Sequence, residues 1–147
     1  MAKKIVITGG LGYIGTELCK IYSGVSWNNK VIVVDNRFIS ERVHQLRSWN
    51  IDFVHGDILD KDLVDKYCKD ADIVHHLAGI TDVPRLKSES SEDKDAKIKL
   101  VAEKGTQNIL NAINDKCKII FPSTHVVYEG IEKVKNDIFE DEHAKPI

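Results

Sequence analysis

The chain has 147 residues, 42% hydrophobic and 30% charged, which fits one globular domain that buries its own core without disulfides or a structural metal. The formal net charge is −2 with acids and bases interspersed, so no basic field exists to hold a nucleic-acid backbone, and nucleic acid is excluded as a partner. Cys19, Cys68 and Cys117 lack any CxxC spacing and suit free thiols in a reducing, cytoplasmic compartment, and the opening apolar run meets Gly9 too soon for a signal sequence or membrane span, so no membrane partner is expected.

Residues 3–8 form a β-branched run broken by glycines, after which Ile14, Leu18 and Ile21 recur at helical spacing, so strand, tight turn and helix are predicted in that order. Residues 30–34 read as a second strand, apolar at every central position as in a parallel sheet covered on both faces, and Asp35 ends it. A helix over 41–49, a third strand over 51–55 and a helix over 60–69 turning Leu63, Val64 and Tyr67 inward come next. Residues 72–77 make strand four. The stretch Ser88-Glu89-Ser90-Ser91-Glu92-Asp93 then supplies N-cap candidates and first-turn acids for a long helix whose inner face is marked by Ile98, Val101, Gly105, Ile109 and Ile113. Residues 118–121 form strand five, and the remainder reads as a polar loop. This alternation predicts an α/β, Rossmann-like, doubly wound parallel sheet of order 3-2-1-4-5 with right-handed crossovers, helices on both faces and no internal domain boundary.

The segment Thr8-Gly9-Gly10-Leu11-Gly12-Tyr13-Ile14-Gly15 places a tight turn between strand and helix. Glycines there let phosphate oxygens approach the backbone, and the helix N-terminus supplies N–H donors and a favourable dipole, so a pyrophosphate is the expected guest. Gly10, Gly12 and Gly15 satisfy GxGxxG spacing, whereas Gly9, Gly12 and Gly15, with Thr8 before them, resemble the TGxxGxxG form of short-chain dehydrogenase/reductases, the register that the threonine favours. Twenty residues after Gly15, Asp35 is placed to accept both ribose hydroxyls of an adenosine half and to repel a 2′-phosphate, which selects NAD over NADP. Arg37 keeps NADP open as the lesser choice, and a plainer reading makes Asp35 a turn residue paired with Asn36.

With the segments that follow, these motifs resemble the extended short-chain dehydrogenase/reductases, the nucleotide-sugar epimerase and dehydratase group, over nearly the whole chain. The resemblance implies that Gly56-Asp57-Ile58 meets the adenine, Asp57 receiving its amine and the amide of Ile58 a ring nitrogen; alternatively Asp57 caps the next helix. His76-Leu77-Ala78-Gly79 is similar to the family's HLAA turn, Gly79 replacing an alanine, and brings Leu77, Ala78 and Gly79 to the ribose and pyrophosphate. Together with Gly9, Gly12, Tyr13, Ile14, Gly15, Asp35 and Asn36 they make up the expected cofactor site. Gly105-Thr106-Gln107-Asn108-Ile109-Leu110 matches GTxNxL, a helix segment that packs beside the cofactor, although Ala102 stands where an asparagine is usual. Alternatively Gly105 only lets the helix pack closely on the sheet.

Pro122-Ser123-Thr124-His125-Val126-Val127-Tyr128-Glu129-Gly130 is similar to the family's S-[ST]-x-x-V-Y-G run, with Glu129 inserted. By resemblance Thr124 is catalytic, hydrogen-bonding the sugar oxygen that is oxidised or reduced, and Tyr128 is structural. The family's catalytic YxxxK pair has no counterpart: four residues beyond Tyr13, Tyr22, Tyr67 and Tyr128 stand Glu17, Ser26, Ala71 and Glu132. The resemblance places YxxxK shortly after a segment like Asp141-Glu142-His143-Ala144-Lys145-Pro146-Ile147. Residues 1–147 are therefore expected to be one NAD(P)-binding domain truncated before YxxxK and the substrate domain. Its own activity is expected to be absent.

The function implied is that of an enzyme acting on a nucleotide sugar by transient hydride transfer. His125-Val126 replaces the Asp-Glu of dehydratases, favouring an epimerase or reductase. The rival from another class is a noncatalytic dinucleotide sensor or scaffold. An open edge at strand five adds self-association, so a homo-oligomer is expected. The six histidines are dispersed without metal-ligand spacing, so no metal is expected, and His75 and His76 point to opposite sheet faces, one of them a satisfied core residue.

Overall fold

The computed structural model describes residues 2–25, 28–81 and 92–124. Strands β1 (Lys4–Thr8), β2 (Lys30–Asp35), β3 (Asp52–His55), β4 (Ile73–His76) and β5 (Lys118–Ile120) form one sheet of order β3-β2-β1-β4-β5, all pairs parallel. The expected Rossmann-like order is thus observed. Side chains alternate across the sheet: Ile5, Ile7, Val31 and Val33 enter one core with Leu11, Cys19, Val43 and Leu46, while Val6, Val34 and Val74 enter the other with Ile58, Val64 and Ile109. Helices α1 (Tyr13–Gly24) and α2 (Ser40–Ser48) supply the first core, α3 (Lys61–Cys68) and α5 (Thr106–Ala112) the second. Covering both faces is what makes the strands read as continuous apolar runs.

Strand register positions the site. Thr8 is paired with Val34 on one side and His76 on the other, so β1, β2 and β4 end nearly level, and the chain order reverses between β1 and β4. Crevices at the carboxyl ends of such a reversal are where doubly wound sheets take ligands. Entry into β3 depends on a Schellman turn after α2: Asn50, at φ 57°, donates to the Arg47 carbonyl and Ile51 to that of Leu46. Asparagine tolerates this left-handed backbone, and Ile51 and Leu46 then share a core.

Three details depart from expectation. In α3 Val64 turns inward and Leu63 packs half-buried against the same core, as expected, but the second deeply buried residue is Cys68, and Tyr67 is only half-buried. Asp60, not Asp57, caps α3, accepting from the Leu63 N–H at 3.1 Å. The long helix is not continuous either: α4 (Glu92–Leu100) passes into a π-helical turn, Val101–Gly105, before α5. Nothing in α4 is fully buried, and Ile98 is half-buried. The wider turn sets Gly105 against Ile58, whose Cδ1 would lie 2.3 Å from an added Cβ, and leaves both Asn108 and Ile109 buried beyond it. Gly105 thus packs on the loop after β3 rather than on the sheet. Expectations for residues 82–91, including Ser88 to Ser91, and for 125–147, including Tyr128 and Gly130, lie outside the described residues. Among the described residues no helix is long and apolar enough to cross a membrane.

Candidate cofactor site

A cavity of about 620 Å³ opens at the carboxyl ends of β1, β2, β3 and β4, within the ~300–1,000 Å³ of typical ligand pockets. Every residue expected to hold the cofactor lines it: Gly9, Gly12, Tyr13, Ile14, Gly15, Asp35, Asn36, Asp57, Ile58, Leu77, Ala78 and Gly79. Thr124 does not. It is exposed, four residues beyond the end of β5, while Pro122 of the same segment reaches the lining.

The glycine turn is held by the fold from below. Gly9 has φ +68°, and a Cβ there would lie 2.7 Å from the Ala78 nitrogen; at Gly10 it would meet Val33 at 2.5 Å, and at Gly15 the Gly10 Cα at 2.6 Å. Gly12 differs: its backbone is ordinary, at φ −72° and ψ 175°, and its Cβ would face Gly9 oxygen at 3.1 Å and the Arg37 guanidinium at 3.7 Å. Gly9, Gly12 and Gly15 line the cavity and Gly10 does not, the arrangement of the TGxxGxxG register. Leu11 anchors the turn, with its side chain in the core, its N–H on Asp35 at 2.9 Å and its carbonyl bonded by Arg42. No side chain caps α1, so its first-turn N–H groups are available where Tyr13, Ile14 and Gly15 line the cavity. The 83% and 61% exposure of Tyr13 and Ile14 shows that their side chains are not what holds the turn.

Asp35 is buried and Asn36 is not its partner. Asn36 donates instead to Asp57 at 3.0 Å, and Asp57 also accepts the Leu59 N–H at 2.9 Å, folding the loop after β3 back on itself. Asp35 pairs with Arg37. On the other side of the cavity a buried chain of hydrogen bonds joins three elements: Ala78 N–H to Thr8 Oγ1 at 3.3 Å, Thr8 Oγ1 with His76 Nδ1 at 2.9 Å, and His76 Nε2 with Thr106 Oγ1 at 3.0 Å. A neutral His76 ring serves both threonines, one nitrogen accepting and the other donating, and so ties β1 to α5 through β4. His75, on the opposite face, meets the Tyr22 hydroxyl at 2.7 Å. Both histidines are buried and bonded, where only one had been expected to be.

Burial holds the His76 imidazole below its ordinary value, and burial followed by the charge of Lys118 does the same for His75. Unfolded imidazoles titrate near 6.5 and bind protons that the folded rings refuse, so stability falls as pH drops through 6.5 and levels off below the depressed folded values. Urea midpoints measured from pH 8 to 5 should show this loss, and a flat profile would contradict the neutral pair.

Several residues at the site carry no local sequence signal. Lys97 and Val101 line the cavity from the far helix, and Ile80 and Thr81 extend the turn after β4. Asn108, noted only as part of GTxNxL, is 2% exposed and donates to the carbonyls of Ile58 and Leu59 at 2.9 and 3.2 Å. It ties α5 to the loop that presents Asp57 and Ile58, a contact 50 residues away in sequence.

Sheet order, glycine turn and crevice define a Rossmann-type domain. Residues 6–145 match the family model described as the 3-beta hydroxysteroid dehydrogenase/isomerase family, and the chain belongs to that family. It is 36% identical over 143 residues to CDP-paratose 2-epimerase of Salmonella typhi, covering 90% of this chain and 40% of the relative. Among solved structures it is similar to UDP-N-acetylglucosamine 4-epimerase from Methanobrevibacter ruminantium M1 in complex with UDP-N-acetylmuramic acid, at TM-score 0.76 and 27% identity over 99% of this chain and 44% of that one. It is likewise similar to UDP-glucose 4-epimerase from Brucella ovis in complex with NAD, at TM-score 0.74 and 29% identity over 99% of this chain and 42% of that one. The resemblance to extended short-chain dehydrogenase/reductases is borne out by these matches. The chain spans about two fifths of the length of the relatives it matches.

Proposed function

We propose that this chain is the NAD-binding part of an enzyme that acts on a nucleotide sugar by transient hydride transfer. The observation that carries the reading is convergence: the glycine turn, Asp35, the loop of Asp57 and Ile58 and the turn of Ala78 and Gly79 all line one cavity at the switch point. The cradle also fits a pyrophosphate. Gly12, which lines the cavity, is the one glycine of the turn whose added Cβ would meet no atom of the fold closer than 3.1 Å, and the uncapped start of α1 offers donors beside it. The likeness to a 2-epimerase and to a UDP-glucose 4-epimerase solved with NAD supports the same cofactor and substrate class.

Bound NAD would supply a hydride acceptor and donor. The chain's own groups bind and orient: the first turn of α1 meets phosphate charge, and Asp35 receives the ribose diol while repelling a 2′-phosphate. Thr124 hydrogen-bonds the sugar hydroxyl, and His125-Val126 after it favours an epimerase or reductase over a dehydratase. Titrating NAD and NADP into the purified chain tests the reading; tighter binding of NAD is expected. Failure to bind either would remove it.

The 147-residue chain is expected to bind NAD without turning over nucleotide sugars. None of its tyrosines is followed four residues on by lysine, and a matched general base contributes roughly 10²–10⁴-fold to such a step. Assay of the purified chain with NAD and UDP- or CDP-sugars checks this. Clear turnover would mean that the base lies among residues 1–147.

A further inference from the structure

We infer that Arg37 competes with the ligand's ribose diol for the carboxylate of Asp35, so that an internal ion pair sets both cofactor affinity and the choice between a 2′-hydroxyl and a 2′-phosphate. The inference rests on the NAD reading above and deepens it.

A carboxylate offers about four lone-pair positions. At Asp35 all four are used: Oδ2 accepts the Leu11 N–H at 2.9 Å, Oδ1 accepts the Arg37 backbone N–H at 2.9 Å, and the Arg37 side chain takes the rest through Nε at 3.2 Å and Nη2 at 3.4 Å. The two backbone donors belong to the turns that build the site and cannot leave without them. The two side-chain donors can. Their contacts are longer than the ~2.7–2.9 Å of well-formed charge-assisted bonds, as expected when an arginine only two residues away must curl back on its acceptor.

Position makes the competition direct. The Asp35 side chain is 3% exposed and that of Arg37 55%, so the guanidinium stands between the buried carboxylate and solvent. Its Nη2 also lies 3.7 Å from where a Cβ on Gly12 would be, so it reaches from the end of β2 to the glycine turn. Asp57, the other acid lining the cavity, is already bonded by Asn36 and the Leu59 N–H. A vicinal diol that brings two O–H donors to Asp35 must therefore take the two places that Arg37 holds. The displaced guanidinium regains water. For a 2′-phosphate the sign reverses: it has no donor for Asp35 and is repelled by it, but it attracts the same guanidinium. Arg37 thus weakens NAD and strengthens NADP.

The test is to measure dissociation constants of NAD, NADP and 2′-deoxy-NAD for the 147-residue chain and for R37A, R37Q and R37K, with circular dichroism confirming that each is folded. In R37A, NAD should bind about tenfold tighter, the equivalent of one hydrogen bond to a charged group, and NADP should weaken by a similar factor. The preference for NAD over 2′-deoxy-NAD, small in the parent, should widen by about the same factor. R37Q should follow R37A if the ion pair is responsible, and R37K, which keeps charge without the fork, should fall between. NAD binding that is unchanged or weaker in R37A and R37Q overturns the competition while the NAD reading stands. Absence of NAD and NADP binding from the parent and every variant overturns both.

Discussion

Gly12→Val should abolish NAD binding, lowering affinity at least about a hundredfold, or ~2.8 kcal/mol, while the chain stays folded. The glycines of the turn are not equivalent. At Gly9, Gly10 and Gly15 an added Cβ would fall 2.5–2.7 Å from atoms of the fold, two of those contacts being with backbone, so substitution there distorts the junction of β1 and α1 itself. At Gly12 the backbone is one that any residue adopts, and the nearest atom is the Gly9 carbonyl at 3.1 Å, which must yield by a few tenths of an ångström. The stability cost should be about 1 kcal/mol, the middle of the range for single substitutions. The branches of valine would instead occupy the space between the first turn of α1 and Arg37, where the phosphates are expected. Isothermal titration paired with thermal melting separates the two effects. Retained NAD affinity would place the phosphates elsewhere, and loss of the fold would make Gly12 a structural glycine like its neighbours.

Asn108→Leu should cost about 2–4 kcal/mol of stability and also weaken NAD binding. Leucine keeps the branched four-atom skeleton of asparagine but is bulkier, so no cavity is created, and the cost comes from the lost hydrogen bonds together with overpacking at a buried position. The Asn108 amide is buried and donates to the carbonyls of both Ile58 and Leu59; without it each carbonyl loses that donor, at about 1–3 kcal/mol apiece when no water replaces it. Affinity should follow because Ile58 and Asp57 sit on that loop and line the cavity. Asn108→Asp should be worse, since an ionised carboxylate would set negative charge against two carbonyl oxygens in a buried place. Urea unfolding of the three chains gives the order directly. Equal midpoints for wild type and Asn108→Leu would show that the bridge between α5 and the β3 loop carries no stability.

The sheet was readable in the chain because its signals are local. Residues 5–7 and 31–34 are apolar on both faces, which only a doubly covered parallel strand requires, and the alternation of such runs with helical spacing leaves few topologies besides the observed order. The glycine turn was readable for the same reason: glycines at fixed spacing between strand and helix describe a backbone shape. Asp35 was legible by its distance from that turn.

What the chain could not disclose are choices made between distant segments. Two acids, Asp57 and Asp60, precede α3 with similar local claims to cap it, and only the folded loop gives Asp60 the Leu63 N–H and Asp57 the amide of Asn36, 21 residues upstream. The spacing of Val101, Gly105 and Ile109 suits an unbroken α-helix as well as one with a π turn, and contact with Ile58 accompanies the latter. Sequence placed Asp35 at the site but not the guanidinium that fills its carboxylate, nor the line from Thr8 through His76 to Thr106. Backbone period and turn chemistry depend on neighbours within a few residues and are written in sequence. Which donor satisfies a buried acceptor depends on atoms brought together from several elements, and is decided only when the sheet and both helix layers are in place.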